Sequence, residues 1–176
     1  MRALSVLVSI VLAMIAPANA NEPATIGHGD FMAPYRDACH DKIYASCLDQ
    51  TKVLSAGFDQ AKAQHKLAVV IFGFNSCPPC NVLALWLKSP KGAALMGNYE
   101  EIDLSIFDPG GSLRPEVFDT ILPTLKLNIH RSPPYGVPLF AIVDPQTETL
   151  IGKSLLGFDP NDQSQHIAYL AANTRR

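Results

Sequence analysis

The stretch Lys66–Met96, KLAVVIFGFNSCPPCNVLALWLKSPKGAALM, decides the fold. It begins with an unbroken apolar run over Leu67–Phe74, which predicts a central strand buried on both faces. Cys77 and Cys80 follow, separated by two prolines. The apolar residues after them have the spacing of a helix with a wide apolar face. Strand, short turn, Cys-x-x-Cys and helix together indicate a redox-active cysteine pair.

The helix start explains the chemistry expected of this pair. If Cys77 is the N-cap, Pro78 and Pro79 occupy the first two helical positions, where a missing N–H costs no intrahelical bond. The partial positive charge of the helix N-terminus favours a thiolate at Cys77. We therefore expect Cys77 to be the exposed nucleophile and Cys80 the resolving thiol. The alternatives are a structural disulfide or half of a zinc site, although no second pair with zinc-ligand spacing is evident.

At these residues the sequence resembles the thioredoxin superfamily, specifically its exported bacterial thioredoxin-like members. The resemblance rests on FNSCPPC after an apolar strand, on Gly136-Val137-Pro138 before the strand LFAIVD, and on a C-terminal turn, strand, glycine and helix. It covers about residues 54–174. It implies a thioredoxin-like α/β fold in which a central mixed β-sheet is flanked by helices. It also implies that Pro138 is cis and faces the cysteines, and that the Val137 backbone binds an extended substrate.

Two positions depart from the family pattern. Ser76 stands where the family usually has Trp, and Ile71 stands where thioredoxins proper carry a buried acid. These departures concern the assignment as a simple thioredoxin and leave the fold prediction unchanged.

The activity implied by the resemblance is thiol–disulfide exchange with protein thiols and disulfides, without an organic cofactor or a metal. Pro78 and Pro79 remove two amides that would otherwise solvate a Cys77 thiolate, which favours a reductase or isomerase supplied by an upstream electron donor. Two alternatives remain open. One is a copper-binding or chaperone protein that uses the same pair as soft ligands, and the other is a redox-inert scaffold.

The N-terminus has the three parts of a secretory signal peptide: Met1-Arg2, an apolar run, and a small-residue site ending at Ala20. We predict a signal peptide over 1–20, an arm with an added helix over 21–50, and a thioredoxin-like domain over 51–176. Because the apolar run is too short to span a bilayer comfortably, we expect a periplasmic or secreted protein with no stable membrane anchor after cleavage.

Charge excludes some partner classes. The chain has 14 basic and 16 acidic residues, a formal net charge of −2, and no basic cluster. Nucleic acid and anionic membranes are therefore not expected partners.

Cys39 and Cys47 present a conflict. A helical stripe predicts a helix over Tyr35–Gln50, whereas an even cysteine count in an exported protein favours a disulfide between the two. Residues eight apart on a helix are separated by about 12 Å, but bridged Cα atoms lie within about 7 Å. We favour the bridge, which requires the helix to begin or break within the segment.

The remaining elements follow from local patterns. Helices are predicted over Thr51–His65 and Leu113–Leu125, and a strand over Tyr99–Phe107. The rigid loop containing His130 and Arg131 either raises the positive potential at Cys77 or is simply a surface loop shaped by prolines.

The C-terminal region is predicted to contain an antiparallel pair of strands and a helix. The strands are placed at Leu139–Val143 and Thr149–Leu155, and Asp159-Pro160 is expected to cap the helix.

Overall fold

The computed structural model describes residues 31–173. The predicted signal peptide and the first part of the predicted arm lie outside these residues. Between residues 31 and 173, no helix is long and apolar enough to cross a bilayer.

The sheet is built around strand β1 (Leu67–Gly73), whose seven residues are all buried. Strand β2 (Tyr99–Ser105) pairs parallel to it, and β3 (Leu139–Asp144) pairs antiparallel on its other side. Two short strands, β4 (Thr149–Leu150) and β5 (Leu155–Leu156), pair with β3. The order β2-β1-β3-β4 makes the sheet mixed and confirms the predicted buried central strand.

Helices cover both faces of this sheet. Successive side chains of a strand point to opposite faces of the sheet. Helix α2 (Gln50–Ala63) packs on the face formed by the even-numbered residues of β1. Helix α3 (Pro78–Leu87) packs against the odd-numbered ones, together with α4 (Pro90–Met96) and α6 (Ser164–Ala172). The predicted fold class, α/β with a central mixed sheet flanked by helices, is confirmed.

The N-terminal helix is shorter than predicted. Helix α1 spans Ala33–Cys39 and ends at His40, whose φ of 56° is left-handed. The prediction of a helix over Tyr35–Gln50 is therefore wrong after Cys39, and residues 40–48 form an irregular loop between α1 and α2.

The helix predicted over Leu113–Leu125 is also irregular. A π-helical turn at Glu116–Ile121 leads into α5 (Leu122–Thr124). Pro123 has no N–H to donate to the carbonyl four residues earlier, so a regular α-helix cannot pass through it unchanged.

Two details near the C-terminus differ from prediction. The strand expected over Thr149–Leu155 is divided into β4 and β5 around Gly152, where φ is +71°. The last helix begins at Ser164, whose amide donates to Asp162, so the predicted cap at Asp159-Pro160 is wrong.

Candidate redox site

A disulfide joins Cys77 and Cys80 at the start of α3, with a Cα–Cα distance of 5.3 Å. Cys77 is the N-cap residue, and its Sγ accepts a hydrogen bond from the Cys80 amide at 3.3 Å. Pro78 and Pro79 occupy the first helical positions, as the sequence predicts. The helix therefore directs its positive end and the Cys80 amide toward the Cys77 sulfur.

Both cysteines are buried, and the prediction of an exposed Cys77 is wrong. Cys77 is 2% exposed and Cys80 is 1% exposed. They form an apolar cluster with Ile43, Tyr44 and Ala84. Ile43 and Tyr44 belong to residues 40–48, which we call the covering loop. Its position over the cysteines is the physical reason for their burial.

Tyr44 is the largest side chain of the covering loop at this site, and it is 1% exposed. It lies over Gly73, since a Cβ atom at position 73 would be 2.3 Å from the Tyr44 hydroxyl and 2.9 Å from Cys80 Sγ. Burial raises the pKa of Tyr44 well above its usual value, and the charges of Asp103 and Glu101 raise it further. The group facing the cysteine pair is therefore a neutral hydroxyl.

Asn75, two residues before Cys77, fastens the covering loop to the site. Its Oδ1 accepts from the amides of Ile43 and Tyr44, each at 3.1 Å. Its Nδ2 donates to the Tyr44 carbonyl at 2.9 Å. One side chain thus binds three backbone groups of the loop: it is the acceptor for two amides and a second donor to the Tyr44 carbonyl, which also accepts from the Ser46 amide at 2.8 Å. Sequence reasoning missed this role, because it depends on contacts between residues more than thirty positions apart.

Two buried side chains support the covering loop from the other side. Gln50 donates to the carbonyls of Ala45 and Leu48 at 3.0 and 2.8 Å, and accepts from the Ser105 amide at 2.8 Å. Arg114 donates to the carbonyl of Ser46. The loop is therefore anchored to the start of α2 and to the segment that follows β2.

A second disulfide closes the covering loop. Cys39 and Cys47 are bridged with a Cα–Cα distance of 5.4 Å. The Cys47 amide also donates to Cys39 Sγ at 3.2 Å. Unlike the inner pair, Cys47 is exposed and Cys39 is partly exposed.

The loop before β3 completes the site. The Val137-Pro138 peptide bond is cis, as predicted, and Val137 packs against the cluster that contains both cysteines. Pro138 accepts a hydrogen bond from the Gly157 amide at 2.8 Å, which ties this loop to the end of β5. A mixed sheet, a Cys-x-x-Cys pair at a helix N-terminus and an adjacent cis-proline loop now stand together. The fold is thioredoxin-like.

Two solved structures are partly similar to this chain. A disulphide isomerase from Xylella fastidiosa Temecula1 aligns with a TM-score of 0.45 and 18% identity, over 61% of this chain and 73% of that one. The reduced C-terminal domain of DsbD from Neisseria meningitidis aligns with a TM-score of 0.47 and 23% identity, over 70% of this chain and 96% of that one. No protein-family model and no curated protein matched the sequence.

The charged loop before the cis-proline does not direct its arginine toward the cysteines. Arg131 forms an ion pair with Asp119, and its guanidinium lies 5.1 Å from the centre of the Phe118 ring. The cysteine site therefore receives no direct contact from Arg131. The predicted influence of His130 on Cys77 stays a prediction.

A cleft of about 380 Å³, lined by both polar and aromatic side chains, opens beside the covering loop. Asn75 and Ser76 line it on the cysteine side, and Asp41 and Asp108 contribute carboxylates. Among residues 31–173, no group of three or more His, Cys, Asp or Glu side chains is arranged to hold a metal ion.

Proposed function

We propose that this protein is a thiol–disulfide oxidoreductase that acts on protein substrates through Cys77 and Cys80. The observation that carries the proposal is the bridged pair at the N-terminus of α3, with Val137 and the cis-proline loop packed against it. A helix N-terminus stabilises a cysteine thiolate, and the thiolate is the species that attacks a disulfide.

In the reducing direction, the Cys77 thiolate attacks one sulfur of a substrate disulfide. A mixed disulfide forms, and the other substrate sulfur leaves as a thiolate. Cys80 then loses its proton to solvent and attacks Cys77 Sγ, which forms the Cys77–Cys80 disulfide and releases the second substrate thiolate. Two electrons pass from the protein to the substrate, and an upstream dithiol donor must return them.

Val137 and Pro138 are proposed to bind the substrate chain beside the cysteines. Val137 is partly exposed at the edge of the cysteine cluster. Leu156 is 62% exposed, and its side chain lies next to Gly136 in the same loop. Exposed apolar surface at this position suits an extended polypeptide that pairs with the loop and packs its side chains on Leu156.

The direction of electron flow is proposed to be that of a reductase or isomerase. The Cys80 amide is the backbone donor that reaches Cys77 Sγ, and the two intervening prolines have no N–H to add. A thiolate that accepts few hydrogen bonds is weakly stabilised. The reduced dithiol is then less favourable relative to the disulfide, so the protein is a stronger reductant. The Cys77–Cys80 potential should lie nearer the roughly −270 mV of thioredoxin than the roughly −120 mV of a strong oxidant.

Export completes the proposal. The N-terminal pattern ending at Ala20 is that of a cleaved signal peptide, and two disulfides in one chain suit an oxidising compartment. The mature protein is then periplasmic or secreted. N-terminal sequencing of the exported form, with Asn21 as the expected first residue, tests this part.

The activity is tested by catalysed reduction of insulin with dithiothreitol as the electron source. The wild-type protein should accelerate the reaction, and Cys77→Ser should abolish the acceleration. Cys80→Ser should instead accumulate a mixed disulfide between Cys77 and the substrate, visible by mass spectrometry. Absence of catalysis by the wild-type protein and by a variant lacking the Cys39–Cys47 disulfide would reject the activity. Trapping of substrate on Cys80 in Cys77→Ser would reverse the two roles.

A further inference from the structure

A redox-active disulfide is expected to be accessible and a structural one to be buried, but the two disulfides of this protein show the reverse. The Cys77–Cys80 pair is almost fully buried. The Cys39–Cys47 pair reaches the surface, because Cys47 is exposed and Cys39 is partly exposed. Since thiol–disulfide exchange requires the attacking thiolate to reach a disulfide sulfur, an external thiol meets the Cys39–Cys47 bridge first.

The outer disulfide also holds what buries the inner one. It closes the chain from the end of α1 to the end of the covering loop, and Ile43 and Tyr44 lie midway between the bridged residues. Inside this ring, Asp41 Oδ2 accepts from the amide and the hydroxyl of Ser46, both at 2.7 Å. The ring is thus short and internally braced, with its apolar side directed at Cys77 and Cys80.

We propose that Cys39–Cys47 is a second redox-active disulfide, and that it serves as a latch whose reduction gives thiols access to Cys77 and Cys80. The proposal rests on the proposed function only in taking Cys77–Cys80 as the working pair. While the latch is closed, Tyr44 blocks the inner sulfurs. When the latch opens, the covering loop loses its ring constraint and retains only its hydrogen bonds and packing, so it exposes the inner pair far more often.

The opening step consumes one external dithiol. The dithiol attacks at Cys47, because Cys47 is the more exposed cysteine of the bridge. One thiolate of the reductant attacks Cys47 Sγ, the Cys39–Cys47 bond breaks, and Cys39 leaves as a thiolate that takes a proton from solvent. The second reductant thiolate then attacks its own mixed-disulfide sulfur and releases Cys47. The reductant ends as a disulfide, and two electrons have reached the latch.

The order of reduction in the full-length oxidised protein tests the latch. Samples exposed to limiting dithiothreitol are quenched with iodoacetamide at intervals, and peptide mass spectrometry separates the two pairs. Cys39 and Cys47 should be alkylated first, and Cys77 and Cys80 should follow after a lag. In Cys39→Ser/Cys47→Ser the lag should disappear, and reduction of the inner pair should accelerate on the order of tenfold or more, because the ring constraint is gone.

Two further variants keep the test decisive. Asn75→Ala retains both disulfides but removes three hydrogen bonds to the covering loop, so it should shorten the lag. Asn173→Ala, which removes one side-chain hydrogen bond at the C-terminal end of α6, is an Asn-to-Ala control away from the covering loop and should not. Circular dichroism establishes that each variant is folded.

Reduction of the inner pair before the outer one would overturn the latch, and this result needs no variant. An equal rate for the inner pair in the wild-type protein and in folded Cys39→Ser/Cys47→Ser would overturn it as well. The proposed function fails separately. If the inner pair is freed as expected but insulin reduction is not catalysed, the latch stands and the oxidoreductase activity does not.

Discussion

Substitution of Gly73 by alanine tests the close approach on which the burial of the cysteines depends. A Cβ atom at position 73 would lie 2.3 Å from the Tyr44 hydroxyl, 2.6 Å from Tyr44 Cζ and 2.9 Å from Cys80 Sγ. All three distances are below ordinary van der Waals contact. The backbone has little room to retreat, because Gly73 pairs with Ser105 of β2 and the adjacent Phe72 pairs with Leu139 of β3. Gly73→Ala must therefore displace Tyr44 and, with it, the covering loop.

The expected effect combines two opposing terms. Overpacking of a well-packed interior costs about 1–3 kcal/mol, whereas replacing glycine by alanine inside a strand returns about 0.5–1 kcal/mol. The midpoints of the two ranges differ by about 1 kcal/mol, so the net loss of unfolding free energy should be about 1 kcal/mol. A protein of this length loses about 2–4 °C in Tm per kcal/mol. Because Tyr44 also shields the sulfurs, the inner pair should be reduced by dithiothreitol faster than in the wild-type protein.

Urea unfolding followed by circular dichroism measures the first effect, with Gly97→Ala as the control. Position 97 has φ −51°, and a Cβ there would be 3.6 Å from the nearest atom, the carbonyl oxygen of Ala94. That substitution should raise the free energy of unfolding by about 0.4–1 kcal/mol, because alanine can adopt this conformation without a clash and the unfolded chain loses freedom. Tyr44→Phe should rescue part of the Gly73→Ala loss, because it removes the nearer clashing atom and leaves Cζ. Equal stability of Gly73→Ala and Gly97→Ala would refute the reasoning.

Two other substitutions address the outer disulfide and a buried histidine. Cys39→Ala/Cys47→Ala should lower the free energy of unfolding by about 2.5 kcal/mol, since the bridge closes a loop of roughly nine residues in the unfolded chain; a loss below about 0.5 kcal/mol in urea unfolding would contradict this. His166 packs against Trp86 and Phe158, and burial lowers its pKa from the usual 6.5. The unfolded state therefore binds the proton more readily, so stability is retained above about pH 6.5 and lost as the pH falls toward the lower folded pKa. His166→Phe should reduce that loss between pH 7.5 and 5.5, and an unchanged pH dependence would exclude His166 as its source.

Local patterns were sufficient for the elements that carry the cysteine pair. The apolar run over Leu67–Phe74 predicted β1, and two prolines after Cys77 predicted the helix start, because both signals depend only on neighbouring residues. The Gly-Val-Pro sequence before an apolar strand led to the cis bond at Val137-Pro138 through the family resemblance. The structure agrees at each of these points.

The burial of Cys77 could not be predicted from local sequence patterns. It depends on Ile43 and Tyr44, which meet Asn75 across 31 and 32 positions of sequence, and such contacts leave no periodic pattern. One signal was nevertheless present. An apolar Ile-Tyr pair inside a short segment bounded by two cysteines indicates a closed loop with one buried side, and a buried loop needs a polar side chain to satisfy its amides.

The missing acid of the family pattern shows the same limit. Position 71 is isoleucine, and the sequence indicated no buried acid on β1. In the structure, Asp103 of β2 pairs with Ile71 in the parallel register and is 2% exposed, so an acid is buried beside this position from the neighbouring strand. Its charge acts on Tyr44, whose hydroxyl lies close to Cys80. A shift of one residue in strand register would move Asp103 to the opposite face. The position of Asp103 relative to the cysteine site therefore depends on how β1 and β2 pair in the folded sheet. The residues next to the cysteines in sequence do not predict it.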